Sequence, residues 1–253
     1  MSAGPGAGPL PRPAAPPRGA APPQSGKRGG SLGLALFDLD HTLLPIDSDH
    51  AWGQFMVGLG WVDPVAFQRG NDAFYAQYQA GSLDIDAYIA FAVEPLRRRT
   101  AVELGEAHRR FMAEVVAPAL RDPARALVEA HRAGGDRLAL VTSTNEFVTT
   151  PIAAAFAIDD LIATRLERGA DGAFTGRIDG VPALREGKVA RVGQWLAASG
   201  LAWSDFGRIS VYSDSANDLP LLERATDPVA TNPSPELVAV AHERGWRILE
   251  LFE

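Results

Sequence analysis

Residues 34–44, LALFDLDHTLL, run from an apolar strand-type segment straight into two aspartates one residue apart, Asp38 and Asp40, with Thr42 following. A buried strand tolerates carboxylates at its tip only where they are solvated, paired or bound to a cation, because an isolated buried charge is very costly. Open parallel sheets bind their ligands at the carboxyl ends of strands, which is where this pair would stand.

The rest of the chain supplies the other parts of such a sheet. Residues 1–30 are almost entirely Pro, Ala, Gly and Ser without hydrophobic periodicity, and they read as a disordered tail. Prolines and glycines interrupt every segment there that could serve as a secretory signal, so a cytoplasmic location is expected. From 48 to about 133 apolar residues recur at helical spacing, as in Trp52, Phe55, Met56, Leu59 and in Phe67, Phe74, Tyr75, Tyr78. Breaks are expected at Asp63-Pro64, Gly81-Ser82, Glu94-Pro95 and Asp122-Pro123, with Ser82 or Asp84 opening one helix and Asp122 capping another. Four or five helices thus follow the first strand, more than one crossover requires.

From Asp136 short strands and helices alternate. Strands are expected at 137–141, 161–166, 173–178, 208–212, 227–230 and 246–251, and helices at 147–157, 186–198, 219–224 and 235–243. The alternation implies an α/β fold, a doubly wound parallel sheet with an inserted α-helical domain. Residues 31–47 and 121–253 would form the core, and 48–120 the insert.

Composition narrows the chemistry open to the aspartates. The 253 residues include no cysteine, so any metal must rest on oxygen or imidazole. A net charge of -7 argues against nucleic-acid or polybasic membrane-surface binding, and no apolar run approaches a membrane span. Residues two apart on a strand face the same way, so Asp38 and Asp40 can share one site. Close carboxylates call for a shared proton or a divalent cation, and oxygen-only ligands favour Mg2+. A solvated turn capped by Thr42 is the alternative for this fragment alone.

Three further groups have the same ambiguity when taken singly. Asp214 and Asp218, in YSDSAND after the strand near 209–211, can complete and support a cation site with Asp38; a helix cap by Ser215 or Asp214 would account for one acid but not for two. Thr142, Ser143, Thr144 and Asn145 stand at another strand tip, as a phosphate-oxygen cradle or as a plain N-cap run. Lys188, near a helix start, can neutralise phosphate or crowded carboxylates, or be a surface lysine.

In this order the groups resemble the four motifs of the haloacid dehalogenase-like (HAD) phosphatase superfamily, matched by Asp38/Asp40/Thr42, Thr142, Lys188 and Asp214/Asp218 from about residue 34 to the end. The all-helical insert directly after the first motif is similar to the cap of the phosphoserine-phosphatase-like branch. The resemblance implies a Rossmann-like core and Mg2+-dependent hydrolysis of a phosphomonoester. Asp38 would be the nucleophile that becomes an aspartyl phosphate, and Asp40 the acid for the leaving group and then the base for water. Mg2+ would be held by Asp38, the Asp40 backbone carbonyl and Asp214, backed by Asp218. Thr142, Ser143, Lys188 and Asn217 would meet phosphate or substrate oxygens. Family members that cleave carbon–halogen bonds lack the second acid, so Asp40 favours a phosphohydrolase.

The substrate should be chosen where the insert begins. Asp47, Asp49 and Trp52 offer two acids and an aromatic ring to an amine or other cation, unless Asp47, Ser48 and Asp49 merely begin a helix. Arg97, Arg98 and Arg99 could bind a substrate carboxylate or form a solvated helix end, and His41 reads as a solvent-facing spacer. His50, His108, His131 and His242 lack metal-ligand spacing. Phosphoserine phosphatases usually continue their second motif as SGGF, whereas this chain has TSTNEF. DSDH with TSTNEFVT is more similar to the bacterial branch that includes histidinol-phosphate phosphatases. The expected partner is therefore a small phosphorylated metabolite, histidinol phosphate first, phosphoserine and other monoesters after it. A phosphotransferase and a non-catalytic phospholigand-binding module are the alternatives from other classes.

Overall fold

The computed structural model describes residues 32–252, so the segment read as a tail lies outside it. The chain opens with β1 (Leu32–Phe37) and continues through α1 (Ser48–Gly58), α2 (Pro64–Gln79), α3 (Ile85–Arg97) and α4 (Ala101–Phe111). A π turn (Met112–Val116) carries α4 into α5 (Ala117–Ala119), and α6 (Asp122–Ala133) leads to β2 (Arg137–Asn145). Then come α7 (Glu146–Ala155), β3 (Leu161–Thr164), β4 (Leu166–Arg168), β5 (Phe174–Ile178), α8 (Glu186–Ala198) and β6 (Phe206–Ser213). The chain closes with α9 (Leu219–Leu222), β7 (Asp227–Thr231), α10 (Pro235–Arg244) and β8 (Arg247–Leu249).

Six strands form one sheet in the order β3-β2-β1-β6-β7-β8, every pairing parallel. Its first strand has no polar face because both faces are covered. Leu34 and Leu36 join one apolar cluster with Val192 and Leu196 of α8, while Ala35 and Phe37 join another with Val128 of α6 and Val148 of α7. Alternate side chains thus enter different halves of the core, the arrangement of a doubly wound sheet. Strand order runs outward in both directions from β1 and β6, and the crevice at their carboxyl ends is the place such sheets offer a ligand.

Helix boundaries follow side-chain caps at two of the four expected breaks and at Thr100. Asp63 accepts from the Ala66 N–H ahead of Pro64, Asp84 accepts from Ala87, and Thr100 with Glu103 forms a capping box. Two expected breaks differ. Pro95 lies inside α3, buried in its last turn, where a proline removes only one backbone hydrogen bond. Asp122 is the first residue of α6 and not its cap; Arg121 takes that place in extended conformation without a side-chain bond. The strand expected over 161–166 is also divided: β3 ends at Thr164 in the main sheet, and β4 pairs antiparallel with β5 as a separate hairpin.

Tyr212, immediately before Ser213 and Asp214, supports the site from below. Its ring stacks on Phe37 at 5.1 Å, and its hydroxyl lies 2.6 Å from His131 Nε2, while His131 Nδ1 lies 2.6 Å from Asp136 Oδ2. Arg208 donates to the same Asp136 oxygen at 2.5 Å, and a side chain at Gly33 would collide with that carboxylate. Burial by itself would raise the Asp136 carboxyl, but the hydrogen bonds from His131 and Arg208 outweigh it and hold it below the usual range. A depressed carboxyl stabilises the fold above its unfolded value of about 3.9 and ceases to do so as pH falls through the folded value. Asp136→Asn is therefore expected to cost about 1–3 kcal/mol near neutrality. In urea titrations at stepped pH the variant and wild-type midpoints should converge in acid; a gap independent of pH would contradict this account.

Candidate active site

The apolar strand β1 delivers Asp38 to the crevice, where its N–H still donates to Tyr212 O at 2.9 Å. The chain then turns tightly, with Leu43 and Leu44 N–H groups on Leu39 O and His41 in the left-handed region at φ 57°. Asn232, at the end of β7, secures this turn by donating to His41 O at 2.9 Å and Thr42 O at 3.2 Å.

The end of β6 and helix α8 bring further groups to Asp38 here. Lys188, fully buried on α8, places Nζ 2.8 Å from Asp38 Oδ1 and 2.6 Å from Asp218 Oδ2. Burial alone would lower this lysine, but Asp218 and Asp38 hold it well above its ordinary value. Asp218 also accepts from Ser213 Oγ at 2.8 Å, and its other oxygen is buried without a partner. Thr42 Oγ1 donates to Asp214 Oδ1 at 3.1 Å and lies 3.0 Å from the Asp214 N–H. Burial, then repulsion from Asp38 and Asp218, pushes the Asp214 carboxyl up to about 9. Three carboxyl groups thus lie close together, and the Lys188 ammonium touches two of them.

Asp40 faces a neighbouring space. Its Oδ1 accepts the Ser48 N–H at 2.7 Å and its Oδ2 accepts the Thr144 hydroxyl at 2.8 Å. Burial, then the charge of Asp47, pushes this carboxyl up to about 6 against those hydrogen bonds. Asp47 caps α1 by accepting the His50 N–H at 2.7 Å and is itself raised by burial. Asp49 is raised to about 8, by burial first and Asp47 second. Its neighbours are the Tyr88 hydroxyl and Asn145, whose Nδ2 donates to Oδ1 at 3.3 Å.

These groups open into one cavity. Asp38, Asp40, Asp47 and Asp49 line it together with Phe74, Tyr75, Tyr78 and Tyr88 from α2 and α3, and with Thr142, Ser143 and Thr144 at the end of β2. Its empty volume is about 520 Å³ including the part open to solvent. Ser143 Oγ is buried there without a hydrogen-bond partner, a donor left for a ligand oxygen. No lysine or arginine is among the lining residues.

Several residues stand elsewhere than the sequence suggested. Trp52, expected at the substrate entrance, is 2% exposed and packs against Phe55, Trp61, Phe111 and Phe147 inside the core; helical periodicity turns its face inward, away from the cavity. Asn217 does not line this cavity: it donates to Tyr78 O and accepts from Arg185 Nε, joining the end of α2 to the start of α8. Arg97 and Arg98 pair with Glu94 on the surface, and Arg99 lies over Trp61, so none offers a cation to the cavity. His41 is half-buried with Nε2 3.3 Å from the Tyr75 hydroxyl, a contact to α2 where a solvent-facing spacer was expected.

Other contributors were given no specific partner by the sequence. Thr144, Asn145, Asn232 and the tyrosines of α2 and α3 reach the site by tertiary contact. The tyrosines carried a signal, since their helical spacing marks a face, but the same spacing describes a core. Thr144 and Asn145 were visible only as neighbours of Thr142.

The donor set suits a hard cation. Asp38 and Asp214 present oxygen, Asp218 keeps an oxygen without a partner, and the acids outnumber Lys188. Among the described residues no three acidic or imidazole side chains form a complete metal site by themselves. An ion bound here must finish its shell with backbone carbonyl, water and substrate oxygens, which is the habit of Mg2+.

Comparison with known proteins places these features in a family. The sequence profile of haloacid dehalogenase-like hydrolases matches residues 35–223. A histidinol-phosphatase of Neisseria meningitidis serogroup C (strain 8013) is 47% identical over 216 residues, 85% of this chain and 97% of that protein. The crystal structure of a protein of unknown function from Bordetella pertussis Tohama I superposes with a TM-score of 0.84 at 49% identity, covering 88% of this chain and 100% of that one. A substrate-bound phosphoserine phosphatase shares the fold at 17% identity, with a TM-score of 0.62 over 87% of this chain and 93% of that one.

Proposed function

Because the chain belongs to the haloacid dehalogenase-like hydrolase family and is a phosphatase within it, we propose that it hydrolyses histidinol phosphate through an aspartyl phosphate on Asp38. A carboxylate oxygen of Asp38 attacks phosphorus while the ester oxygen leaves. Asp40 protonates that oxygen and then takes a proton from the water that releases phosphate. Lys188 balances Asp38 and Asp218, and Thr142 and Ser143 receive phosphate oxygens. Asp38, Asp214 and the Asp40 carbonyl would hold Mg2+, which when bound supplies positive charge against the transferring phosphoryl group. Residues 48–120 serve as a cap that contributes Asp49 and the tyrosine wall, while 31–47 and 121–253 carry the catalytic groups.

The observation that carries the substrate is a cavity with two acids beyond the catalytic pair, aromatic walls and no lysine or arginine among its lining residues, His50 being its one imidazole. Histidinol phosphate brings an amine and an imidazole and has no carboxylate. Phosphoserine would set its carboxylate among Asp47 and Asp49 with no lysine or arginine to receive it. The likeness to the 47% identical histidinol-phosphatase of Neisseria supports the same reading. On purified protein, kcat/KM for histidinol phosphate should exceed that for phosphoserine by about 100-fold, the effect of one lost charge-assisted contact. Asp49→Asn should raise KM for histidinol phosphate by about tenfold or more while changing KM for an uncharged alkyl phosphate little. Equal or better kcat/KM on phosphoserine would remove the substrate assignment and leave the phosphatase reading in place.

A further inference from the structure

Asp40 holds one hydrogen bond on each carboxylate oxygen, and the two donors have separate origins. Ser48 supplies a backbone N–H to Oδ1 at 2.7 Å from the first residue of α1. Thr144 supplies a side-chain hydroxyl to Oδ2 at 2.8 Å from a position 104 residues away in the chain, near the end of β2. A carboxyl group bonded through one oxygen can still turn about its Cβ–Cγ bond, whereas a second donor on the other oxygen fixes its plane. Thr144 is well placed to impose that plane. It is 6% exposed, its own N–H bonds Thr142 Oγ1 at 3.2 Å, and a β-branched side chain has restricted χ1 freedom. The SGGF form of this motif has glycine two residues after its first position and has no hydroxyl to offer there.

We propose that Thr144 is a positioning residue for proton transfer to the leaving group, holding the Asp40 carboxyl in one plane and bonding the carboxylate that the transfer leaves behind. The inference rests on the acid role given to Asp40 above. In that step the phosphorus–oxygen bond to the leaving group breaks as the bond from Asp38 oxygen to phosphorus forms. The leaving oxygen takes the Asp40 proton and departs as an alcohol, and Asp40 becomes a carboxylate accepting from both Ser48 and Thr144. Donors that bond the ionised form favour this transfer. The benefit is largest for an alkyl ester, whose leaving oxygen is strongly basic, and small for a nitrophenyl ester, whose oxygen leaves without a proton.

The test uses the full-length protein with Mg2+ and two substrates, 4-nitrophenyl phosphate and the alkyl phosphate with the highest turnover in a metabolite panel. The readout is the ratio of their kcat/KM values, which excludes the later hydrolysis of the aspartyl phosphate. Thr144→Val should lower the alkyl-to-aryl ratio by about tenfold, the effect of one hydrogen bond to a charged group. Thr144→Ser, which keeps the hydroxyl, should restore the ratio to within about twofold of wild type. Equal losses on both substrates in Thr144→Val, or restoration by Thr144→Ala as complete as by Thr144→Ser, would overturn the proposal as a purely structural effect. Asp40→Asn separates the premise from the inference. If it collapses the ratio and Thr144→Val does not, Thr144 has no such role; if Asp40→Asn leaves the ratio unchanged, the acid role falls and the inference with it.

Discussion

Asp38→Asn is expected to lower turnover by on the order of 10³-fold or more while leaving the protein folded. The replacement has nearly the same shape, and its amide oxygen can still accept from Lys188 Nζ, which lies 2.8 Å from Asp38 Oδ1. What is lost is a carboxylate able to form a bond to phosphorus. Stability should change little, because removing one of three crowded acids relieves repulsion while Lys188 keeps Asp218. The wild-type enzyme, acid-quenched during turnover, should also yield a peptide containing Asp38 that carries an added phosphoryl group, and the variant should not. Near-wild-type turnover in a correctly folded Asp38→Asn protein would exclude nucleophilic catalysis at this position.

Lys188→Met is expected to produce the largest loss of stability in the site. The side chain is fully buried and holds two carboxylates, so a neutral replacement of similar volume leaves Asp38 and Asp218 without their cation. Breaking a buried pair in this way costs roughly 3–5 kcal/mol, because the stranded charges remain out of water. For a domain of this size that corresponds to a fall in Tm of about 10 °C. Adding Asp218→Asn to Lys188→Met should recover part of the loss by removing one stranded charge, and a double-mutant cycle measures how much. If Lys188→Met cost under about 1 kcal/mol, the view of Lys188 as the buried counter-ion of this cluster would have to be abandoned.

The two variants separate what Asp38 and Lys188 do, although both belong to the motifs that were visible in the chain. Asp38 is predicted to matter for chemistry far more than for folding. Lys188 matters for both, because the ammonium that balances the nucleophile also balances Asp218 behind it. This difference depends on burial and distance, neither of which the residue names contain.

The sheet was legible because its signals are local. Residues 34–37 are apolar without interruption, and the structure buries all four between two helical layers. The strands ending near Thr142 and Asp214 carry the same pattern of apolar residues followed by polar ones, and all three strands adjoin in the sheet. Helix starts at Asp63 and Asp84 were also local, since each cap bonds an N–H three residues ahead. Errors came where a local rule meets a second constraint. Pro95 does not end α3, which runs two residues beyond it to Arg97 with the proline buried against the core.

Residues 34–44, with which the chain's organisation begins, determine by themselves that a buried strand ends in paired acids needing a counter-charge. Order along the chain then brings in Thr142, Lys188 and Asp214. Only the tertiary structure decided which groups meet those acids: Thr144 on Asp40, Asn145 on Asp49, Asn232 on the turn after Asp38, and Trp52 turned into the core. The reason is physical. A sequence pattern shows that a face is apolar or that a tip is polar, whereas the partner of each face and tip is set by packing between segments that can be 100 or more residues apart, as Thr144 and Asp40 are at a separation of 104.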